Sequence, residues 1–154
     1  LMEEQGVREG ADKSQRWIID PLDGTTNFLH GIPHFAISIG YEKDGEILAG
    51  VVYDPVKDEL FWAERGRGAW MNDRRLRVSG RSDLSQAVLA TGIPHNGRGD
   101  PREFVAVLGL LMARTAGIRR MGAAALDLAY VAAGRYEGYW ELGLDPWDVA
   151  GGSI

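Results

Sequence analysis

The segment Asp20-Pro-Leu-Asp-Gly-Thr-Thr-Asn-Phe28 contains the side chains best suited to metal and phosphate chemistry in this chain. It follows the apolar run Trp17–Ile19, which predicts a buried strand. The carboxylates of Asp20 and Asp23 are hard oxygen ligands of the kind that Mg²⁺ prefers. Gly24 lets the backbone approach a ligand closely. The segment therefore suggests a divalent metal beside a phosphate.

The residues between and after the two aspartates shape a predicted turn. Pro21 has no N–H and a fixed φ, so we expect the chain to turn out of the sheet there and to leave the Leu22 carbonyl as a further ligand. Thr25 and Thr26 then predict the start of a helix, whose unpaired N–H groups attract anions. The same residues also fit a strand, an Asx turn and a helix N-cap with no ligand at all, and both interpretations stay open on these residues alone.

The spacing of the aspartates argues against one phosphatase mechanism. Enzymes of the haloacid-dehalogenase type place two aspartates at i and i+2, which puts both on one side of a strand end. Here Asp20 and Asp23 are three positions apart, with Pro21 between them. An aspartyl-phosphate mechanism is therefore disfavoured.

Composition limits the class of protein. The chain has 154 residues, of which 45% are hydrophobic, enough for one domain with a core. Its net charge of −5 gives no support to nucleic-acid binding, and the absence of cysteine excludes disulfides and thiolate sites. We see no membrane-spanning run or signal peptide and expect a cytoplasmic protein. Because the chain begins at Leu1 and stops at Ile154 after a predicted helix start, we expect a fragment.

The first half of the chain predicts an antiparallel meander. Apolar and other residues alternate over Phe35–Glu42 and again over Ile47–Tyr53. Asp44-Gly45 between these runs is a strong hairpin signal. We expect a third strand at Leu60–Ala63 and a short fourth strand at Leu76–Val78.

The second half predicts helices that alternate with short strands. Asp100 is a predicted N-cap that precedes a helical apolar pattern, which we expect Gly117 to close. The remaining predicted elements are strands at Ala87–Thr91, Ile118–Met121 and Tyr136–Leu142, a helix at Ala123–Ala133 ended by Gly134, and a helix opened by Pro146-Trp147-Asp148. This order indicates an α+β or layered α/β fold in a single region over 1–154, with a mainly antiparallel part over about 1–98 and an α/β part over 99–154.

Further acids lie far from the first segment. They are Glu3, Glu4, Glu141, Asp145 and Asp148. Asp148 would complement a helix dipole without any ligand, and Glu141 would equally well face solvent on an edge strand. On these residues alone, the structural and the ligand-binding interpretations stay open.

Taken together, the motifs resemble the inositol monophosphatase family of Mg²⁺-dependent, Li⁺-sensitive phosphatases. Trp17-Ile-Ile-Asp-Pro-Leu-Asp-Gly-Thr-Thr-Asn-Phe28 is similar to the first signature of that family, and Leu144-Asp-Pro-Trp-Asp-Val-Ala-Gly-Gly152 is similar to the second. Gly151 stands where alanine is usual. Glu3-Glu4 resembles the acidic pair of the family, with Met2 in place of a small residue. Two signatures and an acidic pair in this order are highly specific.

The resemblance implies an α-β-α-β-α sandwich, incomplete here at both termini, and a set of site residues. The metal ligands would be Glu3, Asp20, the Leu22 carbonyl, Asp23 and Asp148, holding two or three Mg²⁺ ions. Asp20, Glu3 and Thr25 would be catalytic, with Glu3 and Thr25 orienting and deprotonating the attacking water. The substrate would contact Asp23, Gly24, Thr25, Arg119, Ala124, Glu141 and Asp148. The resemblance also implies inhibition by Li⁺ and a homodimer.

The leading functional hypothesis is hydrolysis of a small polyol phosphate, inositol 1-phosphate above all. The small residues Ala123–Ala125 suit a hydroxyl-rich substrate. Similar enzymes act on fructose 1,6-bisphosphate, histidinol phosphate or 3′-phosphoadenosine 5′-phosphate, and these remain alternatives. A regulatory, transcription-associated binding role is an alternative of another class. The three histidines, His30, His34 and His95, are interpreted as loop or packing residues.

Overall fold

The computed structural model describes residues 1–3, 6–8, 10, 12–94 and 100–154. Its elements are β1 (Gln15–Asp23), α1 (Thr25–Leu29), β2 (Ala36–Lys43), β3 (Glu46–Asp54), β4 (Glu59–Glu64), β5 (Gly68–Met71), β6 (Arg74–Arg75), a 3₁₀ turn (Leu84–Gln86), β7 (Val88–Thr91), α2 (Pro101–Met112), β8 (Gly117–Arg119), α3 (Ala124–Ala132), β9 (Gly138–Trp140) and α4 (Pro146–Ala150). A six-stranded antiparallel sheet runs in the order β1 to β6, and a three-stranded parallel sheet has the order β8-β7-β9. Within the described ranges, every helix is too short or too polar to cross a membrane.

The antiparallel sheet is built from sequential hairpins, as the alternating pattern predicts. Asp44 and Gly45 both have positive φ, 52° and 83°, which the tight turn between β2 and β3 requires. The predicted fourth strand at Leu76–Val78 is wrong. The sheet instead continues through β5 and β6, and Leu76 joins it only through its N–H, which donates to the Ala69 carbonyl at 2.8 Å. The short β5–β6 hairpin carries two arginines on its second strand and therefore shows no apolar alternation.

The inner face of the antiparallel sheet carries small side chains. Ala36 and Ser38 are fully buried, and a Cβ added to Gly40 would lie 2.7 Å from the Ala150 Cβ. Helix α4 can therefore approach the sheet closely. Gly151 is equally confined, because an added Cβ would lie 2.5 Å from the Ser38 hydroxyl. The alanine that is usual at Gly151 would require a local shift in this chain.

The strands of the parallel sheet are connected by two helical crossovers. Helix α2 connects β7 to β8, and α3 connects β8 to β9. The Asp100 side chain caps α2 by accepting from the Arg102 N–H at 2.8 Å, as predicted. The prediction that Gly117 closes this helix is wrong, because α2 ends at Met112 and Gly117 begins β8. After α3, Gly134 adopts a φ of 70° and ends the helix as predicted.

Helix α3 contacts both sheets and supplies four of the ten residues of the buried apolar cluster. Ala125 and Leu126 are fully buried. The buried apolar cluster consists of Ala36, Val52, Phe61, Ala90, Ala123, Ala125, Leu126, Ala129, Tyr130 and Tyr136, so it draws on both sheets and on α3. Because the first turn of α3 is enclosed in this way, any polar group there must be paired or must hold a proton.

Candidate active site

The first acidic segment remains in the antiparallel sheet. Asp20 pairs with Ser38 and Asp23 pairs with Ala36, with a shift of register between them. The prediction that Pro21 turns the chain out of the sheet is therefore wrong. Pro21 is exposed and lies within the irregular stretch, where a missing N–H breaks no regular ladder. The bulge changes the direction of the strand end and leaves both carboxylates in the interior.

Asp20 is almost completely buried, at 1% exposure. One of its carboxylate oxygens accepts from the Leu22 N–H at 2.9 Å. Burial raises the pKa of Asp20 to about 6, the Leu22 N–H opposes that rise, and the charges of Asp23 and Asp148 add to it. Asp20 therefore lies within electrostatic reach of the other two predicted aspartate ligands.

Asp23 connects the first strand to helix α3. Its two carboxylate oxygens accept from the Ala124 N–H at 3.2 Å and from the Ala125 N–H at 2.8 Å. The N-cap residue of α3, Ala123, provides no side-chain cap, so Asp23 caps the helix from a distant part of the chain. The pKa of Asp23 is raised to about 7, mainly by burial. The charges of Asp148 and Glu141 add to the rise, and the Ala125 and Ala124 N–H groups oppose it.

The predicted phosphate-binding residues lie at the start of α1. Gly24 has a φ of 89°, and a Cβ there would lie 3.1 Å from the His34 carbonyl, so both conformation and space favour glycine. It provides no side-chain cap for the first-turn N–H groups. The exposed Thr25 hydroxyl donates to the Leu22 carbonyl at 2.9 Å. The predicted ligand carbonyl and the predicted catalytic hydroxyl are therefore direct neighbours.

Asn27 has a role that the sequence reasoning missed. Its buried amide nitrogen donates to the His34 carbonyl at 2.7 Å and to the Met121 carbonyl at 2.8 Å. These bonds tie α1 to the segment that leads into α3. The position of Asn27 within the first acidic segment is the one sequence signal for its importance. That position does not reveal hydrogen-bond partners far away in sequence.

Glu3 reaches the site because the N-terminal segment runs beside β1. The Ile19 N–H donates to the Leu1 carbonyl at 2.9 Å, and the Glu3 N–H donates to the Ile19 carbonyl at 3.3 Å. A hydrogen bond with the Glu3 side chain acts on Asp20. Two carboxyl groups that share a hydrogen bond must hold a proton between them. Glu4 lies outside the described residues.

Asp148 lies in the first turn of α4. One of its oxygens accepts from the Asp145 N–H at 2.7 Å, so the structural interpretation of this residue as part of a helix N-terminus is correct. Its charge also raises the pKa values of Asp20 and Asp23. The close packing of α4 on β1 and β2 places the second signature beside the first.

The predicted substrate contacts are not all in one place. Ala124 is buried and bonded to Asp23, and the Glu141 carboxylate acts electrostatically on Asp23. Arg119 is exposed on β8 and donates to the neighbouring Ile118 carbonyl at 3.3 Å. The adjacent Arg120, which the sequence reasoning did not select, acts electrostatically on the buried Asp127.

Asp127 is a second residue that the sequence reasoning missed. It lies in the first turn of α3 at 1% exposure, and its Oδ1 has no hydrogen-bond partner within the described part of the chain. The pKa of Asp127 is raised to about 8, mainly by burial. The charges of Asp23 and Glu141 add to the rise, and Arg120 opposes it. Helical periodicity gives no signal for a buried acid.

The acids named above form one negative cluster, the acidic cluster, made up of Glu3, Asp20, Asp23, Asp127, Glu141 and Asp148. Buried carboxylates of like charge ionise together only when a cation is present, so this donor set fits a hard divalent ion. Over the residues that the structure describes, however, no three acidic or histidine side chains stand at metal-ligand spacing. A Mg²⁺ ion held by one or two carboxylates, with water completing its shell, needs no closer grouping.

The histidines take no part in this cluster within the described residues. His34 is buried, its ring packs edge-on against Tyr130 at 6.2 Å between centroids, and burial lowers its pKa. His30 is exposed at the end of α1. Both agree with the interpretation as loop and packing residues, while His95 lies outside the described residues.

Comparison with known proteins gives a consistent result. The profile of the Inositol monophosphatase family matches residues 1–154. The chain is 60% identical over 154 residues to an inositol-1-monophosphatase of Mesorhizobium japonicum, covering all of this chain and 58% of that protein. It is 55% identical over 152 residues to the Nus factor SuhB of Pseudomonas aeruginosa, covering 97% of this chain and 55% of that protein.

A solved structure confirms the fold. The inositol monophosphatase of Anabaena (Nostoc) sp. PCC 7120 matches 100% of this chain and 61% of its own length, with a TM-score of 0.93 and 48% identity. The chain thus spans less than two thirds of the length of each of these relatives. The match of the family profile to residues 1–154 and the agreement of fold show that the chain belongs to the inositol monophosphatase family.

Proposed function

We propose that the protein of which this chain is a part hydrolyses a small polyol phosphate, most specifically inositol 1-phosphate, with Mg²⁺ as cofactor. The observation that carries the proposal is the acidic cluster, in which Asp20 and Asp23 of the first signature are both buried and the charge of Asp148 from the second signature acts on both of them. Burying several carboxylates close together is unfavourable without a cation, so a purely structural role does not account for this arrangement.

The residues have distinct proposed roles. The N–H groups of Gly24 and Thr25 receive the phosphate at the start of α1. Glu3 and the Thr25 hydroxyl orient a water molecule for attack, and Glu3 accepts its proton. Asp20, Asp23, Asp148, Glu3 and the Leu22 carbonyl would hold the metal ions. When bound, Mg²⁺ supplies neutralisation of the phosphate charge, activation of the water and stabilisation of the departing alkoxide.

The geometry supports these roles in two respects. The Thr25 hydroxyl lies 2.9 Å from the Leu22 carbonyl oxygen, so the proposed water-orienting and ligand groups are adjacent. The Leu22 and Ala125 N–H groups each hold one oxygen of Asp20 and Asp23, respectively, which restricts the rotation of both carboxylates. Holding a donor set in place before the ligand arrives reduces the entropy lost on binding.

Turnover on a panel of phosphates tests the proposal. The panel contains inositol 1-phosphate, fructose 1,6-bisphosphate, histidinol phosphate and 3′-phosphoadenosine 5′-phosphate, each assayed with Mg²⁺ and with or without Li⁺. It is applied to the 154-residue chain and to a chain extended to the length of its relatives. We expect the extended chain to release phosphate fastest from inositol 1-phosphate and to be inhibited by Li⁺. Release from none of the four substrates would refute the enzyme class.

The variant Asp20→Asn tests the residue assignment within the same assay. The amide oxygen can still accept from the Leu22 N–H, but the variant lacks the anionic ligand, so we expect phosphate release to fall at least about a hundredfold while folding stays intact. Thermal unfolding with and without Mg²⁺ provides the control. The metal-dependent rise of the midpoint should disappear in the variant. Undiminished activity would show that Asp20 is not a ligand.

A second candidate function is a binding role of the kind suggested by the relatives named Nus factor SuhB, which include one at 55% identity. The net charge of −5 favours a protein partner over direct contact with nucleic acid. Asp20→Asn separates the two functions, because a binding surface that needs only the folded chain would survive this substitution. A small-molecule phosphate, a homodimer and a cytoplasmic location remain part of the first proposal.

A further inference from the structure

The Glu141 carboxylate lies directly over Gly92. The two residues follow neighbouring parallel strands, β9 and β7, and the Gly92 N–H is 3.4 Å from the Trp140 carbonyl oxygen. A Cβ built on Gly92 would lie 1.8 Å from the carboxylate carbon of Glu141 and 2.0 Å from each of its oxygens. Only a hydrogen atom fits in that space, so this glycine determines where the Glu141 side chain can lie.

Tyr139 holds the same carboxylate from a second direction. The Tyr139 hydroxyl, on β9, donates to one oxygen of Glu141, which directly follows that strand. Burial raises the pKa of Tyr139, and the hydrogen bond to Glu141 raises it further. The phenol therefore keeps its proton and remains a donor over the whole range in which the protein is expected to work.

The held carboxylate acts electrostatically on two other members of the acidic cluster. Its charge raises the pKa values of Asp23 and Asp127, so Glu141 lies within electrostatic reach of the end of β1. An ionised carboxylate only accepts hydrogen bonds, and it has room for about four, of which the phenol takes one. The remaining positions suit hydroxyl donors on a ligand.

We propose that Tyr139 and Gly92 are positioning residues that hold Glu141 as an acceptor for a hydroxyl group on the alcohol portion of the substrate. Selectivity for polyol phosphates over phosphate esters without hydroxyl groups then depends on this pair. The inference rests on the proposed function and adds the residues that determine specificity within it. A purely structural Tyr139–Glu141 contact would affect all substrates alike.

The variant Tyr139→Phe, which removes only the hydroxyl, tests the inference in the chain extended to the length of its relatives. Kinetics with Mg²⁺ are compared for inositol 1-phosphate and 4-nitrophenyl phosphate, which has no alcohol hydroxyl. We expect KM for inositol 1-phosphate to rise about tenfold, the size of one hydrogen bond to a charged group, with kcat changed less than about twofold. Both constants for 4-nitrophenyl phosphate should stay within about twofold.

Two further variants make the test specific. Tyr53→Phe is the matched control, because the Tyr53 hydroxyl donates to Asp58 at 2.9 Å on an exposed turn. This variant should leave kcat and KM unchanged for both substrates. Gly92→Ala displaces the Glu141 carboxylate sterically and should shift KM in the same direction as Tyr139→Phe. It provides an independent test should Tyr139→Phe fold poorly.

The outcomes separate the two levels of the proposal. An equal loss of kcat/KM for both substrates would overturn the positioning role while leaving the proposed function intact. Unchanged kcat/KM in both Tyr139→Phe and Gly92→Ala would do the same. A wild-type protein that hydrolyses neither substrate would overturn both. A loss of kcat/KM for inositol 1-phosphate alone in both variants, with wild-type kinetics in Tyr53→Phe, would support the inference.

Discussion

The two sheets of this protein contribute to the candidate site in different ways. The antiparallel sheet brings Asp20 and Asp23 on its first strand, and its strands pair in the order in which they follow one another in sequence. The parallel sheet brings Glu141 and, through its crossover helix α3, the N–H groups that hold Asp23. Three of the five proposed metal ligands thus lie at the end of a single strand, whereas the proposed contacts to the alcohol portion of the substrate depend on long crossovers.

This difference indicates how the site is assembled. Asp20 is held by Leu22, two residues away, but Asp23 is held by amides more than a hundred positions away. Removing Asp20 should therefore affect chemistry alone, whereas removing Asp23 should affect both chemistry and the contact between the layers. The following substitutions test that distinction.

The largest effect is expected for Asp23→Ala. Phosphate release should fall at least about a hundredfold with the loss of a metal ligand. The free energy of unfolding should also fall by about 2 kcal/mol, because the Ala124 and Ala125 N–H groups lose their acceptor and α3 loses its cap. Steady-state kinetics and urea unfolding of the metal-free chain measure the two effects.

Asp100→Ala is the matched control for this variant. Asp100 also caps a helix, accepting from the Arg102 N–H at 2.8 Å, but it lies at the exposed start of α2. We expect a loss of stability of about 1 kcal/mol and unchanged activity. Loss of activity in Asp23→Ala without loss of stability would contradict the view that this residue joins the two layers.

Asp127→Asn should change how stability depends on pH. Burial raises the folded-state pKa of Asp127 to about 8, and Asp23, Glu141 and Arg120 also act on it. The folded chain therefore binds more protons than the unfolded chain between about pH 4 and pH 8, so this carboxyl stabilises the fold at low pH and loses that effect as pH rises. Its contribution amounts to at most about 1.4 kcal/mol per pH unit.

The measurement is urea unfolding of the metal-free chain at several pH values. The variant should resemble the wild type at pH 4 and should lose less stability than the wild type as pH rises to 9. Because Asp20 and Asp23 also have raised pKa values, a residual slope should remain in the variant. Identical slopes in the two proteins would show that Asp127 does not titrate in this range.

A smaller effect is expected for Asn27→Ala, which breaks the connection between α1 and the segment before α3. The His34 and Met121 carbonyls lose their shared donor, and we expect a loss of about 2 kcal/mol in the free energy of unfolding. Because Gly24 lies against the same segment, KM should also rise for every phosphate substrate. A change below about 0.5 kcal/mol by urea unfolding would exclude this bridging role.

Much of the antiparallel sheet follows from local patterns. The alternation over β2 and β3 and the turn at Asp44-Gly45 depend only on neighbouring residues, and the structure agrees with them. Prediction failed where the local signal was weak or misleading. The β5–β6 hairpin lacks apolar alternation, and Pro21 lies in a bulge that sequence periodicity does not reveal.

The predicted site residues show a similar division. Asp20, Asp23 and Asp148 could be selected from their motifs, and in the fold the charge of Asp148 acts on both Asp20 and Asp23. Asn27 and Asp127 could not, because their roles depend on burial and on partners in other layers. Arg119 and Arg120 are adjacent, chemically identical and both exposed, so only the tertiary structure decides which of them acts on Asp127.

By itself the sequence determined the family, the acidic residue types and the local strand and helix patterns, because these depend on composition and on spacing over a few residues. Only the tertiary structure decided which acids are buried, that Asp23 caps α3, and that Tyr139 and Gly92 confine Glu141. The physical reason is that ionisation and side-chain position depend on desolvation and on contacts between layers. Neither exists until the two sheets pack around α3.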